Sequence, residues 1–293
     1  MVDHNSRIPY SEQASFSMDR EIANGLTVSV GYLFTGAHKL VRALDLNISA
    51  PVGRLPDGKL LYNGAAYNNA GLLYYTDNSG NAVYHGATLQ IKERWGKHLL
   101  LNANYTFSKT LDDGTFTTFV STPQSLYQRN LEHANSNQDV RHRFVGNFVA
   151  AGPEHGWLRN FELSGIVTMQ SPRPFTMFAG FDVNNDTNPV TDRLGLSARN
   201  TYWGDRLYAV DLRLSRSFRI KEKANLLFAV DAFNVLNRAN VDEVTTVYSA
   251  PDFIGPIPNH YKDGVGSPIN PLFGSPRSVL NPRQLQFSLK IAF

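Results

Sequence analysis

The chain contains no cysteine. Disulfide frameworks, thiol catalysis and cysteine-based zinc sites are therefore excluded. It is also poor in charge: Asp, Glu, Lys and Arg make up 18% of its residues, against about 25% in ordinary soluble domains. The 28 Lys and Arg nearly balance the 25 Asp and Glu. They form no basic block, which argues against a nucleic-acid partner. No apolar run approaches the roughly 18 to 20 residues of a membrane helix; one of the longest, residues 226–230, is five residues. Helical spanning is thereby excluded, but strand spanning is not. A β-strand crosses a bilayer with about 9 to 11 residues, only half of them apolar. Residues 1–20 show no basic stretch followed by an apolar one, so the expectation is either a cytoplasmic protein or an export signal that lies elsewhere.

What the chain does have is aromatics (12%), Asn (26 residues) and period-2 alternation, the mark of strands with one apolar face. Ala14, Phe16, Met18 and Ile22 alternate with Ser15, Ser17, Asp19 and Glu21. Asn24-Gly25 follows, a short-hairpin signal, and then Leu26, Val28, Val30, Tyr32 and Phe34 on one parity. The pattern recurs around residues 87–92, 99–108, 141–148, 161–169, 208–215, 225–231 and 284–293. That makes nine strand candidates. The links after strands one, three, five and seven are a few residues; those after two, four, six and eight are long and rich in Asn, Gly, Pro and Asp, as in residues 63–80 and 251–276.

Long structureless loops are uncommon in compact soluble domains. Short turns at one end and long loops at the other are the habit of outer-membrane barrels. Charges within the strands nearly all fall on the polar parity; Arg20, near a strand end, is the main exception. The expected fold is therefore all-β: an antiparallel transmembrane β-barrel portion of about nine strands, with alternating short periplasmic turns and long extracellular loops. Nine is odd, and an open sheet in lipid leaves two unpaired edges. Residues 1–293 are therefore expected to be the C-terminal part of a larger barrel. A closed nine-strand barrel, with the strand near Phe16 paired to the strand near Phe287, is the alternative.

These segments resemble the C-terminal barrel of TonB-dependent outer-membrane transporters of the Oar-like type. The resemblance rests on residues 104–113 (Asn-Tyr-Thr-Phe-Ser-Lys-Thr-Leu-Asp-Asp), 139–147 (Asp-Val-Arg-His-Arg-Phe-Val-Gly-Asn), 165–175 (Gly-Ile-Val-Thr-Met-Gln-Ser-Pro-Arg-Pro-Phe), 231–238 (Asp-Ala-Phe-Asn-Val-Leu-Asn-Arg) and the terminal strand 283–293. It implies energy-coupled import of a bulky ligand across the outer membrane of a Gram-negative-type bacterium. It implies TonB as a partner through a plug domain that this chain lacks, and a barrel-assembly signal in Phe287, Leu289, Ile291 and Phe293. A passive pore or an adhesion barrel acting through its loops is the rival without energy coupling.

Several residues carry candidate chemistry. Asp182, Asn184 and Asp186 have the D-x-N-x-D spacing of a calcium loop, in which alternate residues aim oxygens at one point. The sixth position is Thr187 rather than Gly and the twelfth is Arg193 rather than Glu, so a polar turn is the plainer expectation, and no other cofactor is expected. Arg141, Arg143, Asp211, Arg213 and Asp231 fall on the polar parity and are expected to face a lumen, pairing with one another or with a plug. Ser136, Asp139 and His142 lie close in sequence, but a hydrolytic triad needs spatial convergence, and no enzyme activity is expected. Trp95, Trp157 and Phe218, at the short turns, and Tyr32, Phe34, Tyr105 and Phe107, toward the other strand ends, suggest two aromatic girdles against outer-membrane lipid. The tips around Tyr62 and Tyr74 could stack on a ligand, although solvated loops are the plainer reading.

Overall fold

The computed structural model describes residues 3–68, 70–114, 123–220, 224–248 and 270–292. Nine long strands form one antiparallel meander: β1 Tyr10–Ala23, β2 Leu26–Asp45, β3 Tyr74–Trp95, β4 Leu99–Asp112, β5 His142–Ala151, β6 Phe161–Gln170, β7 Leu207–Ile220, β8 Ala224–Phe233 and β9 Gln284–Ala292. They follow one another across the sheet without a crossover. All nine expected strands are present in the expected order.

The register preserves parity across the whole width. Met18, Val30, Leu89, Tyr105, Phe144, Met169 and Tyr208 form one cross-strand row. The next row is Asp19, Ser29, Gln90, Asn104, Val145, Thr168 and Ala209. A slip of one residue anywhere would exchange the faces, so this alignment keeps one side apolar and the other largely polar. The apolar side is not covered. Phe16, Leu89, Phe107, Leu163, Phe228 and Phe287 are between 39% and 68% exposed. A soluble sandwich would bury that side against a second sheet.

The buried apolar cluster lies elsewhere. Met177, Ala179, Leu194, Tyr202, Tyr248 and Phe273 pack together among the long connections, with Phe175, Phe181 and Val183 against them. Those connections (residues 46–73, 113–141, 171–206 and 234–283) all leave from one end of the sheet and are shaped by small pairings. Gly53–Arg54 pairs with Leu60–Leu61, Pro174–Phe175 with Tyr202–Trp203, and Val241–Val244 with Pro276–Val279. The short turns, residues 24–25, 96–98 and 152–160, lie at the other end; residues 221–223 are outside the described set.

Two strands overrun their expected limits. β2 has 20 residues and β3 has 22, so residues 74–80, read as loop from their Asn, Ser and Gly content, are strand. Pairing of β3 with β4 stops at Ala82–Asp112, while β2 and β3 remain paired as far as Asp45–Tyr74. A two-stranded ribbon thus continues beyond the wall. Its base is irregular: the β2–β3 register shifts between Ala37 and Arg42, and Lys39 has φ 57°. The sheet has two edges. Among the described residues β1 pairs only with β2 and β9 only with β8, and nothing joins the strand near Phe16 to the one near Phe287.

Candidate functional site

The polar side of the wall and the loop cap above it hold the residues of interest. Arg213 and Asp231 face each other on β7 and β8, and the Arg213 Nη1 donates to both Asp231 carboxylate oxygens at 2.8 and 2.9 Å. Asp211 accepts the Asn234 backbone N–H at 2.8 Å, fastening the chain where it leaves β8. Arg143 is exposed on the same side, in register with Thr106 and Gln170. Arg141 stands just outside β5, and its guanidinium lies 3.3 Å from Asp139. Asp139 is fully buried and accepts the Thr110 backbone N–H at 2.7 Å.

Ser136, Asp139 and His142 do not converge. Ser136 Oγ accepts the Gln138 backbone N–H at 3.2 Å. The His142 ring lies on the apolar side, opposite Phe107, and its Nδ1 is 2.7 Å from the Tyr105 hydroxyl. No contact links it to Asp139 among the described residues. His85 repeats the arrangement: it is opposite Phe34 and 2.7 Å from the Tyr32 hydroxyl. Four aromatics expected near the strand ends thus hold two histidines between them, at the level where β5 begins. Sequence parity placed the aromatics; it did not reveal the histidine pairing, which depends on cross-strand register.

At the base of the cap an open cleft of about 570 Å³ separates the ends of β6 and β7 from the small pairings above. Its walls carry charges of both signs, including Arg173, Asp205, Glu243 and Arg277. Deeper in the cap, Glu132 takes two hydrogen bonds from Arg193, at 2.8 and 3.2 Å, and both side chains are almost fully buried. Arg199 adds contacts to the Glu132 backbone carbonyl at 3.2 Å and to Asp112. Tyr62, expected at a solvated tip, is instead buried, with its hydroxyl 2.7 Å from Ser125 Oγ. Tyr74 begins β3 and is no tip.

Asp182, Asn184 and Asp186 do come together. Asp186 and Asn184 are buried. The Asp186 backbone N–H donates to both Asp182 Oδ1 and Asn184 Oδ1 at 3.1 Å. The structure adds Asp192, which the spacing did not single out: carboxylate oxygens of Asp182, Asp186 and Asp192 all lie within 4.8 Å of one another. Burial pushes the Asp186 carboxyl up to about 6. Burial, and then the charge of Asp186, push Asp192 up to about 7. Thr187, standing where a calcium loop has Gly, takes φ 73°, the left-handed conformation that Gly would supply.

The sequence matches the family described as Outer membrane beta barrel domain over residues 1–194 and again over residues 181–286. The chain belongs to this family. Its location is accordingly the outer membrane, and the exposed apolar side is the kind of surface such a barrel domain turns to lipid. Among solved structures, the outer membrane transporter YddB from Escherichia coli is similar, with a TM-score of 0.55 at 11% identity over 98% of this chain and 33% of that one. The ferripyoverdine receptor of Pseudomonas aeruginosa gives 0.49 at 15% identity over 96% of this chain and 27% of that one. The ferric-catecholate import receptor Fiu from E. coli gives 0.48 at 10% over 97% and 27%. At 11% identity the likeness to YddB concerns the fold alone, and this barrel domain spans about a third of YddB's length. No curated protein matches the sequence.

Proposed function

We propose that the chain is the C-terminal part of the barrel of a TonB-dependent outer-membrane transporter of the Oar-like type, serving energy-coupled uptake of a bulky ligand. The observation that carries this reading is the pair of open edges: β1 and β9 each have one partner strand among the described residues. In hydrocarbon, an edge of about ten residues leaves about five N–H and five C=O groups unpaired, each costing several kcal/mol. Two such edges cost several tens of kcal/mol, well beyond a folding stability of about 5–15 kcal/mol. Additional strands between β9 and β1 satisfy them. A barrel so enlarged has room for a plug, as about 22 strands provide, where nine strands closed on themselves would hold little more than their own side chains.

In this reading the short turns are periplasmic and the long connections extracellular. Arg143, Asp211, Arg213 and Asp231 line the lumen, with Arg141 at its outer rim. Phe287, Leu289 and Ile291 of β9 belong to the signal read by the barrel-assembly machinery, together with Phe293, which lies outside the described residues. TonB acts through a plug carried by the rest of the protein. The test uses the producing bacterium and a panel of ferric siderophores, oligosaccharides and peptides. Uptake of at least one solute should be lost both on deleting this gene and on deleting TonB. Uptake that needs this gene but not TonB would establish a passive pore instead. Unchanged uptake of the whole panel in both deletions would remove the transport reading.

A further inference from the structure

The segment 182–193 does more than turn. The Tyr62 and Gly64 backbone N–H groups donate to the Asn184 and Asn185 carbonyls, each at 2.9 Å, and Asn185 Nδ2 donates to the Tyr62 carbonyl at 3.1 Å. Arg193 reaches Glu132. One short stretch therefore ties connection 171–206 to connections 46–73 and 113–141.

At its centre, three carboxylates lie within 4.8 Å of one another, two of them buried. The cationic side chains nearby do not neutralise them. Arg193 is committed to Glu132. Lys59 is buried, and its Nζ makes no hydrogen bond; Asp192 is the anion that most favours its charge. With Asp45 and Asp57 also close by, the acidic groups outnumber the one available ammonium. A second observation is independent of the clustering. Asp192 is completely buried, and while its Oδ2 accepts the Val183 N–H at 2.7 Å, its Oδ1 has no partner. The adjacent Thr191 Oγ1 is likewise buried and unpaired. Buried carboxylate oxygens are ordinarily saturated with donors; an anionic one left bare within a cluster of anions points to a cation.

We propose that Asp182, Asn184, Asp186 and Asp192 form a binding site for a hard divalent cation, calcium in preference to magnesium, which locks the three long connections of the cap together. The donor set is all oxygen, as such ions require. Calcium accepts six to eight oxygens in flexible geometry at about 2.3–2.6 Å, which suits carboxylates fixed by a folded loop, whereas magnesium demands near-ideal octahedral geometry at about 2.0–2.1 Å and keeps several of its waters. The site is independent of what the barrel transports.

The test is calcium binding by the protein extracted from outer membranes in detergent, measured by titration calorimetry with CaCl2. One saturable site is expected, in the range of about 10⁻⁴–10⁻³ M typical of extracellular modules. Asp186→Asn and Asp192→Asn should each weaken it at least tenfold, while the exposed Asp242→Asn should leave it unchanged. No saturable binding overturns the proposal, and so does binding that all three variants retain, the sign of calcium held by co-purified lipid. If the first two variants do not fold, the wild-type protein decides. Calcium, but not equimolar magnesium, should slow protease cleavage within residues 171–206 relative to EGTA, and equal cleavage in all three conditions overturns the proposal.

Discussion

Asp186 and Asp192 sit among groups of both signs: Asp182, Asp45, Asp57, Lys59 and Arg193 surround them. Both carboxyls lie above the ordinary 3.8 in the cation-free fold. The native state therefore holds more protons than the unfolded chain between about pH 4 and pH 7, and stability falls as pH rises through that window. In EGTA, the melting midpoint of the cap, followed by fluorescence, should drop between pH 5 and pH 8. Saturating calcium should flatten that slope, because the ion displaces the protons from the same oxygens and neither state then titrates in this range. Asp192→Asn should raise the midpoint at pH 8 in EGTA and remove the increment that calcium gives. A midpoint flat with pH in EGTA would show that these carboxyls are not raised. The D-x-N-x-D spacing made three of these residues visible in the sequence. Asp192 stayed hidden because it closes the site only through the return of the loop. Arg193, one position on, is engaged by Glu132 from a separate connection, a link no local pattern announces.

At the level of the strand, alternation was legible because a wall with one oily side and one wet side imposes it on every residue. The ends were less so. Residues 77–81 (Asp-Asn-Ser-Gly-Asn) have turn composition, yet they are strand because β2 pairs with them and the cap packs on the ribbon. The two sides of β3 should answer differently to charge. Ile91→Arg places a guanidinium on the apolar side near mid-wall and should cost about 2–4 kcal/mol in lipid. Gln90→Arg, one position away on the polar side, should stay within about 0.5 kcal/mol. Urea unfolding of both variants in liposomes measures the difference, and equal costs would contradict the assignment of faces. Gly25 tests the first turn. Its φ is 84°, and an added Cβ would lie 2.5 Å from the Arg94 carbonyl oxygen. Gly25→Ala should therefore slow or reduce assembly, read as a smaller heat-modifiable folded fraction on gels.

Across the whole molecule, the three tryptophans form a depth gauge. Trp95 and Trp157 are exposed near the short turns, while Trp203 is half-buried in the cap. Lipids brominated near the headgroup should quench the first two and leave Trp203 bright. Single-tryptophan variants report each separately, and strong quenching of Trp203 would place the cap within the bilayer. The wall could be read from the sequence, but the cap could not. Met177, Tyr202, Tyr248 and Phe273 share no periodicity; they meet only because two connections fold onto each other. The Tyr248–Phe273 edge-to-face contact at 4.9 Å spans part of the chain that composition marks as loop.

The irregular pairing at Lys39 sets the heading of everything built on the ribbon beyond it. Side chains on a strand alternate, so excising one residue there would rotate the rest of β2 by half a turn about its own axis. Arg42 and Leu44 would trade sides with Ala43 and Asp45, and all four are buried, so neither side could keep its packing. The scaffold of the wall would survive such a deletion intact, yet the crown would lose the fit of both its buried sides.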